Sequence, residues 1–160
     1  MKLHITAEIT ERGNLEKLHS YRFSDGLLFP PSYIEFAEQY GYGRVCRNLF
    51  IYIPMDNYCD SVFTQSESIK RTYADVLNDE NDLWFDLSPD MDYHRLKTLF
   101  PFAKSENAHY LFWDTSIRQG SEFDIYISDF RSGFFKAVGD LDGFFDKYCG
   151  EAVFEPLKRV

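Results

Sequence analysis

The stretch from Leu99 to Val138 constrains this chain more than any other. It reads LFPFAKSENAHYLFWDTS, then a short polar loop, then FDIYISDFRSGFFKAV. Phe100-Pro101-Phe102 opens a strand or turn, His109–Trp113 forms a strand, Phe123–Ser128 a second, and Gly133–Val138 a third. Runs rich in aromatic and β-branched residues, broken by short polar turns, pair as an antiparallel meander. A compact helix follows from Asp140 to Tyr148, with Leu141, Phe144, Phe145 and Tyr148 on one face. No nucleophile, base and orienting group fall together in this segment, which points to binding rather than catalysis.

Alternation assigns the faces. In 109–113, Tyr110 and Phe112 point one way and His109, Leu111 and Trp113 the other, so both faces are apolar and the strand is central. In 123–128, Phe123, Ile125 and Ile127 point to a core, whereas Asp124, Tyr126 and Ser128 face away from it. Those polar positions, with Trp113 and Asp114 at the end of the neighbouring strand, are candidates for partner recognition. An exposed aromatic ring beside a carboxylate suits an Arg- or Lys-bearing surface. The competing account makes Trp113 a core residue and Asp114 the start of a turn.

Upstream, Leu3, Ile5, Ala7 and Ile9 alternate with polar residues, which predicts a half-buried strand over 3–9. A short helix capped by Asn14 is expected over 14–21. Phe29-Pro30-Pro31-Ser32 leads into the clearest helix. Tyr33, Phe36, Ala37 and Tyr40 form its buried stripe, and Gly41 stands where a left-handed cap belongs. Val45–Ile53 reads as one strand. A helix is expected over 60–78, then an acidic loop, NDEND, at 78–82, and a short apolar patch at Leu83–Leu87. Ser88-Pro89-Asp90 predicts a helix near 90–98.

The chain has 160 residues, a length suited to one domain, and 44% hydrophobic residues suffice for a core. Its 16 Phe and 11 Tyr suit half-buried surfaces as well as core filling. A formal net charge of −9 repels phosphate backbones and draws in basic proteins. Nucleic acid is therefore not an expected partner. No unbroken apolar run has the length of a membrane span, and the opening residues lack a signal-peptide pattern, so cytoplasm is the expected compartment. Cys46, Cys59 and Cys149 show no C-x-x-C spacing and read as free core thiols. The four histidines are dispersed. Of Asp90, Asp92 and His94, only 90 and 94 would share a helical face, so no metal site and no cofactor is expected. Asp79, Glu80 and Asp82 lack the turn glycine and distal Glu of a calcium loop, and read as a solvated acidic loop open to a partner.

Four segments resemble the SUKH superfamily. Phe29-Pro30-Pro31-Ser32-Tyr33-Ile34-Glu35-Phe36 is similar to its opening L-P-x-x-Y-x-x-F helix, and Phe100-Pro101-Phe102-Ala103 to its I-P-F-A strand entry. Tyr110–Asp114 resembles the following strand, and Asp140–Tyr148 the closing helix. The SUKH-like core spans about 28–149 of a single domain over 1–160. Ser105-Glu106-Asn107-Ala108 replaces the Gly-Asp usual before the central strand. The resemblance implies an α+β fold with a central antiparallel sheet flanked by helices. It also implies a non-enzymatic protein-binding domain. Bacterial members are mostly immunity proteins that neutralise a toxin domain, often a nuclease; fungal relatives are cell-wall-synthesis regulators acting as protein-binding hubs. The expected partner is a basic toxin domain, met by Trp113, Asp114, Asp124, Tyr126, Asp79, Glu80 and Asp82. A regulatory hub is the alternative. A hydrolase is the third reading, and it predicts a concave pocket of convergent Asp, Glu or His.

Overall fold

The computed structural model describes residues 2–160. Its elements in chain order are β1 (His4–Ile5), α1 (Leu15–Ser20), α2 (Pro31–Tyr40), β2 (Gly43–Val45), β3 (Leu49–Ile51), α3 (Val62–Thr72), β4 (Leu99–Ser105), β5 (Tyr110–Gln119), β6 (Glu122–Ser128), β7 (Phe134–Val138), α4 (Leu141–Tyr148) and β8 (Val153–Pro156). Single 3₁₀ turns occupy Ala74–Leu77, Glu80–Asp82 and Tyr93–Thr98. The strands form one sheet in the order β1-β8-β2-β3-β4-β5-β6-β7. An eight-stranded sheet with helices packed on it is an α+β fold, as expected. Every pair is antiparallel except β1 with β8, so the sheet is mixed.

The expected meander forms β4 to β7, and β5 is covered on both faces. Trp113 meets Tyr33 of α2 edge-on at 4.9 Å and stacks on Phe102 at 4.0 Å. Phe112, one residue earlier, turns the other way, toward Phe134 at 5.5 Å, Phe130 at 6.0 Å and Tyr73 at 6.3 Å. Tyr33, Phe36, Ala37 and Tyr40 are all buried on α2, and Gly41 ends the helix at φ 77°. Pro30 offers α2 no capping side chain. Glu122 of β6 takes that role, accepting from the Ser32 backbone N–H at 2.9 Å and its hydroxyl at 2.6 Å. The same hydroxyl accepts from the Leu141 N–H at 3.0 Å, tying β6, α2 and the start of α4 together.

The structure corrects several expectations. The strand over 3–9 shortens to His4–Ile5, because only these residues find a partner strand, in β8. Val45–Ile53 is a hairpin: Cys46 and Arg47 adopt φ 52° and 72°, which turns the chain between β2 and β3. The 60–78 helix breaks after Thr72 and resumes as the Ala74–Leu77 turn. No helix starts at Ser88-Pro89. That segment runs beside β7, where the Phe134 N–H donates to the Ser88 carbonyl, and Asp92 instead caps the Tyr93–Thr98 turn. The polar loop after Trp113 continues β5 to Gln119. Cys46 and Cys149 are joined in a disulfide with Cα atoms 5.2 Å apart, and the free Cys59 is exposed. Neither arrangement is that of a free core thiol.

Candidate functional site

Three of the predicted recognition residues lie inside the molecule. Trp113 is 2% exposed, Tyr126 4% and Asp114 6%. They belong to the fold, which corrects the expectation that they form an open recognition face. Alternation assigned Tyr126 and Ser128 to the correct face of β6, but that face is covered. The Tyr93–Thr98 turn lies over it, with the Arg95 guanidinium 5.1 Å from the Tyr126 ring.

Asp114 is the hub of a buried polar network. Its Oδ2 accepts from Arg95 Nε at 3.0 Å and Nη2 at 2.9 Å. Its Oδ1 accepts from the Thr98 hydroxyl at 2.9 Å, the Ser116 hydroxyl at 2.6 Å and the Ser116 N–H at 3.0 Å. Arg95 Nη2 also donates to the Tyr126 hydroxyl. Burial pushes the Asp114 carboxyl up, but the bonds from Ser116, Arg95 and Thr98 outweigh it and hold its pKa below the ordinary carboxylate value. A carboxylate so fully satisfied has no free lone pair for a partner. Asp124 is half-buried and paired with Lys136 at 3.3 Å.

Asp79, Glu80 and Asp82 do lie on the surface, in the 3₁₀ turn that Asp79 caps through the Asn81 N–H. The structure adds a residue to them. Trp84 is 52% exposed, packed edge-on against Phe85 at 4.7 Å and lying 5.8 Å from Phe130. Its indole N–H points to Asp75 Oδ1 at 3.5 Å. In Leu83–Leu87, Leu83, Phe85 and Leu87 turn inward while Trp84 and Asp86 turn out. That alternation is legible in LWFDL and was the available signal. Among the described residues, none of Asp75, Asp79, Glu80, Asp82 and Asp86 has a cationic partner within 4.0 Å, whereas Asp25, Asp56, Asp114, Asp124 and Glu155 each do. The local field registers on Tyr93, whose pKa is raised by burial first and then by the charges of Glu80, Asp79 and Asp82. An exposed indole bonded to Asp75, in a segment that also carries Asp79, Glu80, Asp82 and Asp86, is chemically suited to guanidinium or ammonium groups.

His19 Nε2 lies 2.5 Å from Glu38 Oε1 on the α1–α2 surface, both half exposed, and among the described residues no hydroxyl or thiol is hydrogen-bonded to either side chain. Asp90 accepts the Lys136 N–H at 2.7 Å and Asp92 caps a turn, so neither is spare. Among the described residues, no group of three His, Cys, Asp or Glu side chains is placed to hold a metal ion, and no helix is long and apolar enough to cross a membrane.

The profile of a protein family described as SMI1-KNR4 cell-wall (SUKH_6) matches residues 24–144, which takes in α2, the whole meander and the first half of α4. No curated protein and no solved structure matches the chain.

Proposed function

The chain belongs to the SMI1-KNR4 cell-wall family of SUKH domains, and from that premise we propose that it is a non-enzymatic protein-binding domain, an immunity protein that docks on a basic toxin domain. The observation that carries this reading is the exposed Trp84 among Asp75, Asp79, Glu80, Asp82 and Asp86, none with a cationic partner among the described residues. The opposed fields of this surface and a basic partner raise the association rate. Trp84 is the anchor: half its ring remains to be buried, and an Arg or Lys of the partner can lie over its face. A toxin that acts on nucleic acid carries basic groups at its active site, and a rigid acidic surface competes for them.

Co-expression with any toxin domain encoded beside this chain tests the reading. Growth is rescued by the parent chain and lost with Trp84→Ala combined with Asp79→Asn and Asp82→Asn, while the variant keeps its fold by circular dichroism. If no neighbouring toxin domain is neutralised, the immunity reading fails. A second reading, a cell-wall regulator serving as a hub, draws on the family's own description. It predicts several unrelated partners at moderate affinity in place of one tight one. In the immunity reading the protein works in the cytoplasm, where the Cys46–Cys149 pair meets a reducing environment.

A further inference from the structure

Cys46 and Cys149 each close an element. Cys46 occupies a left-handed position in the β2–β3 turn, and Cys149 ends α4, its N–H donating to the Phe145 carbonyl at 3.0 Å. Their bond spans 103 residues of sequence. Between the two elements lies a groove of about 400 Å³, walled by Asn48 and Leu49 on the turn side and by Phe144 and Tyr148 on the helix side, with Leu111 and Ile127 as its floor. It runs on past Ile127 and Tyr148 into a second hollow of about 430 Å³. The disulfide joins the two walls at one end.

Little else holds the end of α4 down. Its buried residues are Leu141, Phe144 and Phe145, all before the last turn, and Tyr148 is 44% exposed. Beyond the bond, the corner has the exposed Arg47–Glu151 pair at 2.8 Å and Arg47–Glu155 at 3.7 Å, which contribute little, and the chain is next pinned at Ala152, whose carbonyl accepts from the His4 N–H at 2.7 Å. The β2–β3 turn, by contrast, is anchored independently of the bond. β2 is paired with both β8 and β3, and the Cys46 N–H donates to the Val153 carbonyl at 3.0 Å. Breaking the disulfide therefore leaves the sheet intact and releases only the Tyr148 end of the helix-side wall. Both half-cystines are half-buried rather than sealed in the core.

We propose that the Cys46–Cys149 disulfide is a redox latch on this groove. Oxidised, it fixes the spacing of the two walls. A dithiol reductant attacks one Sγ as a thiolate, forming a mixed disulfide and releasing the other cysteine as a thiolate. The second reductant thiol then closes the reductant's own disulfide and frees the first cysteine. Two electrons pass from the dithiol to the protein, and two protons end on the cysteine sulfurs. The last turn of α4 then frays and Tyr148 swings away from Leu49. This is independent of the partner taken by the Trp84 surface.

Hydrogen exchange read by mass spectrometry tests it on the full chain, oxidised and after dithiothreitol. Labelling times are kept too short for whole-chain unfolding to contribute. Peptides covering 144–152 exchange about tenfold faster in the reduced form, while β4 to β6 exchange equally in both. Cys149→Ser behaves as the reduced chain in either condition. Exchange over 144–152 that ignores reductant overturns the proposal, as does a loss of protection spread evenly over the sheet. Iodoacetamide on the folded chain after mild oxidation and removal of the oxidant labels Cys59 alone; labelling of three cysteines there also overturns it.

Discussion

Replacing Asp114 by Asn separates a structural carboxylate from a recognition one. The change preserves shape, removes the charge, and converts one accepting oxygen into a donating NH₂. Asp114 receives two bonds from Arg95 on Oδ2 and three from Thr98 and Ser116 on Oδ1. Whichever way the new amide is oriented, at least two donors face a donor. If the NH₂ faces Thr98 and Ser116, the Ser116 N–H loses its acceptor, and because that bond is only part-buried the cost lies toward the low end of the ~1–3 kcal/mol of a stranded donor. If it faces Arg95, the guanidinium loses its counter-charge. The Arg95 side chain is 32% exposed and regains water, which discounts that share toward the ~0.2–1 kcal/mol of exposed pairs. The charge is lost in either orientation, so the total is about 1–4 kcal/mol, which for a chain of this size lowers Tm by about 2–15 °C.

Urea unfolding at pH 7 measures the loss, with tryptophan fluorescence and far-ultraviolet circular dichroism required to give coincident transitions. Arg95→Ala alone costs about 1–2 kcal/mol, and the double variant shows a coupling of about 1–3 kcal/mol, because the two groups share one network. The pH dependence has a definite sign. The folded Asp114 pKa is lowered, so its contribution is present above the unfolded value of about 3.9 and is lost as pH falls through the folded value. Asp25, held down chiefly by its bond from Arg118, titrates in the same direction, so the parent loses stability below about pH 4 and Asp114→Asn loses less over that interval. An Asp114→Asn chain within about 0.5 kcal/mol of the parent, or strict additivity with Arg95→Ala, would refute the network account and return Asp114 to the list of recognition residues.

Trp113→Ala removes a ring stacked on Phe102 and met by Tyr33, and costs about 3–5 kcal/mol in urea unfolding, with little change in partner binding per folded molecule. Gly133→Ala costs about 2 kcal/mol or more, because φ is 113° and a Cβ there would lie 1.8 Å from the Ser88 carbonyl oxygen; thermal melts read it directly. Cys46→Ser lowers unfolding stability by about 4–5 kcal/mol in the chain-entropy account of a loop this long, and dithiothreitol does the same to the parent but leaves the variant unchanged.

How much of this could be read from the sequence depends on the range of the interactions that decide each element. The α2 stripe and the β4–β7 meander follow from periods of 3.6 and 2, which need only a residue's neighbours in sequence. The disulfide depends on residues 103 positions apart, and no local pattern carries it. β8 is four residues long and enters the sheet between β1 and β2, so its place is decided by a crossover rather than by its own sequence. The errors at the candidate site have the same origin. Alternation placed Asp124, Tyr126 and Ser128 on one face correctly, but whether that face is open depends on the irregular chain between Ser88 and Thr98, which has no period to read. A carboxylate beside Trp113 at a strand end looks like recognition chemistry until Arg95 and Thr98, which come from the preceding turn, are seen to use up its lone pairs. Trp84 is the reverse case. It lies in an apolar run and reads as core, yet period-2 alternation puts it outside with Asp86. The buried half of Trp84 packs on Phe85 and Phe130; the half left in water beside Asp75 is what the fold does not use and what the proposed docking would cover.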